Sequence, residues 1–113
     1  MNERIETILE YMLEDAEDAI AYVDEAGSLD AFIEDVKTRK AVIMSLLNIG
    51  EMANRLPDKF TSAHPKLPWA KMVAMRNIAA HGYHQMSDQV VWETVKDSLP
   101  ELVQFLRGQL SVD

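Results

Sequence analysis

Within one short stretch, Met75-Arg76-Asn77-Ile78-Ala79-Ala80-His81-Gly82-Tyr83-His84, the chain gathers an arginine, an asparagine, two histidines and a tyrosine. A guanidinium holds a phosphate through several donors at once and does not lose its charge. An imidazole gives or takes a proton near neutral pH. Arginine plus histidine therefore supplies much of what phosphodiester cleavage needs without a metal. The rest of the chain reads as ordinary amphipathic helix, so chemistry is sought here.

Helical geometry constrains how these groups can work together. At about 100° per residue, Asn77 and His81 share one helix face, and His81 lies roughly 140° around from Arg76. Arg76 instead continues the line of Trp69, Met72 and Val73, which should face inward. A permanent charge on that line needs a carboxylate, a phosphate or an opening to solvent. An ion pair with Glu51 on the preceding helix would satisfy it with no catalytic role. His81 falls in the last helical turn, where position alone favours a simple C-terminal capping role over a catalytic one. His81 and His84 are three apart, but Gly82 interrupts the helix between them and no nearby carboxylate or thiolate completes a ligand set. No metal and no cofactor is expected. Trp69 fits core packing better than base stacking, whereas Tyr83, beyond the helix end, is expected to be exposed.

Charge is distributed unevenly. The chain has 113 residues and a net charge of -8, which by itself argues against a nucleic-acid partner. Residues 51–84, however, carry Arg55, Lys59, Lys66, Lys71 and Arg76 against Glu51 and Asp58, and they hold all 3 histidines. A local basic surface binds phosphates even on an acidic protein, with weak and salt-sensitive steering. Lys59 and Lys66 read as loop-solubilising residues. A composition 48% hydrophobic and 27% charged is that of a folded soluble protein. With 0 cysteines, disulfides and thiolate chemistry are excluded. The N-terminus lacks the basic and apolar regions of a signal peptide, and the apolar-rich run Ala41 to Ile49 is too short to span a bilayer. A cytoplasmic location is expected.

The elements that must position these groups are helical almost everywhere. Ile5, Ile8, Leu9, Met12, Ala16, Ala19, Ile20 and Val23 repeat at three- and four-residue steps, with Asn2 able to cap the start and Gly27 the end. Ser28-Leu29-Asp30 opens a short helical turn carrying Phe32 and Ile33. A helix over 36–56, stopped by Pro57, is apolar on all sides between Ala41 and Ile49, which predicts a central helix partly covered by another subunit. Gly50 inside it costs stability unless a neighbouring helix approaches closely. A proline-punctuated loop with Pro57, Pro65 and Pro68 follows. The next helix should run from Pro68-Trp69 to Gly82 with a buried stripe of Trp69, Met72, Val73 and Ala80. Ser87 or Asp88 caps a last helical region that Pro100 should kink or divide. The expected fold is one all-α, up-and-down bundle of four to five helices over residues 1–113.

In its detail the sequence resembles the HepT-like members of the HEPN family, small prokaryotic helical proteins usually partnered with a minimal nucleotidyltransferase in toxin–antitoxin pairs. The resemblance runs almost the full length. It rests on Phe32-Ile33-Glu34-Asp35 with Thr38-Arg39-Lys40-Ala41-Val42, Ile49-Gly50-Glu51-Met52-Ala53, and His64-Pro65 with Leu67-Pro68-Trp69. It continues through Met75-Arg76-Asn77 with His81-Gly82-Tyr83, Val91-Trp92 and Leu99-Pro100. It implies a metal-independent endoribonuclease toxin, homodimeric, with Arg76 and His81 as the catalytic pair, Asn77 in support, and Tyr83 as the site to which the partner enzyme transfers AMP. The Arg-x4-His-x-Tyr pattern is intact. RNA brings its own nucleophile, the 2′-hydroxyl, so DNA should resist. The alternative from another class is a non-catalytic module that docks a nucleotidyltransferase and uses Arg76 and His81 for structure or nucleotide contact.

Overall fold

A computed structural model describes residues 1–111, and describes Tyr83 through its backbone alone. Its helices are α1 (Glu3–Ala26), α2 (Leu29–Glu34), α3 (Val36–Arg55), α4 (Asp58–Ala63), α5 (Trp69–Gly82), α6 (Asp88–Glu93) and α7 (Leu99–Leu110). A 3₁₀ turn, Tyr83–Gln85, precedes α6, and a π-helical segment, Thr94–Ser98, joins α6 to α7. Four rods make the bundle: α1, α3, α5, and α6 through α7 as one helical run. No strand occurs among the described residues.

Each long helix starts and stops where its sequence demands. The Asn2 side chain accepts the Ile5 backbone N–H at 2.8 Å, and Gly27, with φ +83, closes α1 in the left-handed conformation that a β-carbon disfavours. Ser28 and Asp35 cap α2 and α3 in the same way, through the backbone N–H groups of Ala31 and Thr38. Hydrogen bonds from Thr38, together with the nearby Lys37 charge, hold the Asp35 carboxyl below the usual aspartate range. Ser87 is the cap that starts α6.

The core is built by α1, α3 and the α6–α7 run. Leu9, Met12, Val23, Phe32, Val42, Val91, Val95 and Leu106 are wholly enclosed, so the bundle has a dry centre of the kind that dominates folding energetics. Ion pairs tie the same helices at the rim: Arg107 with Glu17, Arg39 with Asp88, and Lys96 with Asp24. The central helix is largely covered within one subunit. Val42, Ile43, Leu46 and Ile49 are buried, and of the apolar run 41–49 Met44 is the exposed one, at 56%. Within the subunit this run has neighbours on several sides, since α3 packs against α1, α2, α5 and α6.

The connection after α3 also departs from the sequence reading. Asp58–Ala63, expected as loop, forms α4, because Pro57 is extended and its carbonyl accepts the N–H groups of Phe60 and Thr61. Phe60 then meets the rings of His64, Trp69 and Phe105, and the Trp69 indole N–H donates to the His64 carbonyl at 2.9 Å. That cluster fixes the start of α5. Further on, Pro100 has no N–H and its ring would strike the carbonyl of residue 96, so the backbone loosens into the π-helical segment just before it.

Candidate active site

The segment singled out by its chemistry is α5 and the turn after it. Helix α5 packs against α3, and what permits the approach is Gly50. A β-carbon there would overlap the Arg76 β-carbon and lie 2.5 Å from the Met72 carbonyl oxygen. The cost of a mid-helix glycine is thus offset by a close helix contact centred on Arg76.

Arg76 sits half-buried at that contact, its side chain 34% exposed. Its Nε–H donates to Glu51 Oε1, and its Nη1 donates to Asn77 Oδ1 at 2.7 Å. The carboxylate partner that an inward-facing arginine required is Glu51, on α3. Asn77 is exposed and joined to the guanidinium directly. His81 lies in the last turn of α5 and is exposed. Five residues beyond Arg76, it is displaced about 7.5 Å along the helix axis. Tyr83 opens the 3₁₀ turn, outside α5 as expected; its side chain, the proposed acceptor of AMP, lies outside the described residues.

The stripe expected to bury α5 is only half-formed. Trp69, Met72 and Val73 are partly buried against the core, while Ala80 is exposed. None of the described α5 residues is fully enclosed. The helix is flanked by two grooves instead. One, of about 390 Å³, is lined by Asn54, Asp58, Thr61, Trp69, Val73 and Asn77, and so reaches Asn77. The other, of about 450 Å³, is more apolar and includes Met72, Met75, Ile78 and Val90. Glu51 is the residue the functional pattern alone did not assign; the signal that found it was the need to compensate an inward charge. Among the described residues no group of histidines and carboxylates could hold a metal, and no helix is long and apolar enough to cross a membrane.

A helical bundle that exposes a histidine at the end of a helix, one turn beyond a carboxylate-anchored arginine, has the parts of a metal-free phosphodiesterase. The ribonuclease HepT-like family matches residues 1–108, and the chain belongs to that family. Among its relatives is "Probable ribonuclease HepT" of Thermococcus cleftensis, 38% identical over 93 residues, covering 80% of this chain and 84% of the relative. Another is "Putative RNase MJ0127" of Methanocaldococcus jannaschii, 35% identical over 89 residues, covering 79% and 73% respectively. No solved structure gives a significant match.

Proposed function

We propose that this protein is a metal-independent endoribonuclease, the toxin of a toxin–antitoxin pair, with Arg76 and His81 as its catalytic residues. The observation that carries the reading is the anchored, half-exposed Arg76 followed by the exposed His81 at the helix end, in a chain of a ribonuclease family. Arg76 binds the scissile phosphate and stabilises the charge that develops on it, with Asn77 in support. One imidazole takes the proton of the 2′-hydroxyl, whose oxygen attacks phosphorus. The bond to the 5′-oxygen breaks, and that oxygen receives a proton from a protonated imidazole. The products are a 2′,3′-cyclic phosphate and a 5′-hydroxyl.

One histidine cannot readily be base and acid in the same step. We assign the two roles to the His81 side chains of a homodimer whose cleft joins two motifs. Light scattering showing only monomer at micromolar concentration would count against that arrangement. Control is assigned to Tyr83: the cognate minimal nucleotidyltransferase transfers AMP from ATP to its hydroxyl, with loss of pyrophosphate. The adduct places a negative phosphate where RNA must enter and competes for Arg76. Tyr83→Phe should keep most cleavage and escape inactivation by the partner, and mass spectrometry after incubation with partner and ATP reads the adduct.

The second reading, a non-catalytic module that docks a nucleotidyltransferase, draws on the Arg76–Glu51 ion pair, since an arginine satisfied within the fold has a structural use already. Cleavage of a defined single-stranded RNA in excess chelator separates the two. His81→Ala and Arg76→Ala, purified identically, must lose the activity. Equal residual cleavage in all three preparations would leave the binding module.

A further inference from the structure

Glu51 does more than neutralise a charge. Arginine has five N–H donors in a fixed planar fork. Two directions of that fork are committed: Nε–H to Glu51 and one Nη1 proton to Asn77. The carboxylate thus engages the fork at Nε–H while Asn77 engages it at Nη1, and the two contacts together limit the directions in which the guanidinium can turn. The backbone beneath is fixed by the same stretch of α3, since Gly50 lets the Arg76 β-carbon sit directly on the helix. Gly50 and Glu51 together form a seat, one residue setting where the arginine starts and the next setting where its fork points.

We propose that Glu51 is a positioning residue for Arg76, holding the guanidinium in its phosphate-binding orientation before RNA arrives. The proposal rests on the reading of Arg76 as the phosphate-binding catalytic residue. A free arginine side chain must give up rotamer freedom each time it engages a phosphate, and a small misplacement of a charge-stabilising donor is costly in rate. Functional groups held by their supporting residues avoid both losses. A merely charge-neutralising Glu51 would behave in the opposite way, because its carboxylate would compete with phosphate for the same fork.

The experiment compares wild type, Glu51→Ala, Glu51→Gln and Arg76→Ala in steady-state cleavage of a defined single-stranded RNA in excess chelator. Glu51→Ala should lower kcat by about 10–100-fold with KM changed by less than about twofold, the mark of lost orientation rather than lost binding. Glu51→Gln should recover most of the rate, since its amide oxygen still accepts the Nε–H. The Nε–H resonance of Arg76 in nitrogen-edited NMR of the RNA-free protein should move in Glu51→Ala and stay near its wild-type position in Glu51→Gln. Wild-type or faster cleavage by Glu51→Ala, while Arg76→Ala is inactive, overturns the positioning role and leaves the catalytic reading standing. Wild-type cleavage by Arg76→Ala overturns both. If Glu51→Ala does not fold, Glu51→Asp takes its place: it keeps the charge but draws the oxygens back by one methylene, and an unchanged kcat there overturns the proposal.

Discussion

The two sides of this bundle are built to different standards. Helix α1 buries Ile8, Leu9, Met12, Ala16, Ala19 and Val23, and α3, packed against it, buries Val42, Leu46, Ile49 and Ala53. Helix α5 has no enclosed residue among those described, and it stands between two grooves with α3 as its main support. One side is a core and the other is a platform. The lesson is a division of labour: stability resides where side chains are enclosed, and the chemically interesting groups sit on a long helix that contributes only partly buried side chains to that enclosure.

This contrast can be broken most sharply by pairing one substitution from each side. Phe32→Ala removes a side chain with 0% exposure and should cost about 3–5 kcal/mol of unfolding free energy. His81→Ala should change stability by no more than about 0.5 kcal/mol, since the residue is exposed. Cleavage should show the reverse, with His81→Ala losing about 10²–10⁴-fold. Chemical denaturation and an RNA cleavage assay on both variants would expose any failure of the separation.

Gly50→Ala probes the seam between the two sides. Its β-carbon overlaps Arg76 and the Met72 carbonyl, so α3 and α5 must part, at about 1–3 kcal/mol. Unlike an ordinary helix-surface Gly→Ala change, it should also lower cleavage, because the displaced backbone carries Arg76. A stabilised, fully active variant would show that the helices do not meet as described.

The smallest expected effect lies on α1. Burial raises the pKa of Asp15 against an opposing hydrogen bond from Asn48, and the charges of Asp18 and Glu14 add to the rise. A carboxylate with a raised folded-state pKa destabilises the fold when ionised, fully above that pKa and not at all below the unfolded value. Asp15→Asn should therefore raise the melting temperature by about 1–3 °C at pH 7. The gain should shrink as pH falls through the carboxylate range and vanish near pH 3. Differential scanning calorimetry at the two pH values checks the sign.

Most of the architecture was legible because it is written in local rules. Asn2, Gly27, Pro57 and Ser87 mark helix ends through hydrogen bonds and backbone conformations that depend on few neighbours. Gly50 was readable as a close approach and Arg76 as a charge needing Glu51, because each has a cost that something nearby must offset. What was not legible depended on distant packing. Six residues of α4 are too few to show periodicity, and their helix is set by Pro57 and by aromatic contacts with Trp69 and Phe105. The exposure of Ala80 and the coverage of residues 41–49 follow from which faces the other helices reach. No window of sequence contains that information. The same holds for the proposed cleft, since periodicity places Arg76 and His81 on different faces and does not say how a second copy would bring two motifs together.

The chain's 2 tryptophans fall on opposite sides of this division. Trp92 packs against Phe32 with the rings tilted and their centres 5.6 Å apart, and the Lys96 ammonium lies 5.7 Å from its ring centre. Trp69 sits at the head of α5 among Phe60 and Phe105, its indole N–H bound to a carbonyl. Each half of the molecule thus carries its own optical reporter, in a different electrostatic setting and without any label. Single-tryptophan variants would turn emission spectra into a local clock, telling whether the platform loosens before the core melts or both yield in one cooperative step.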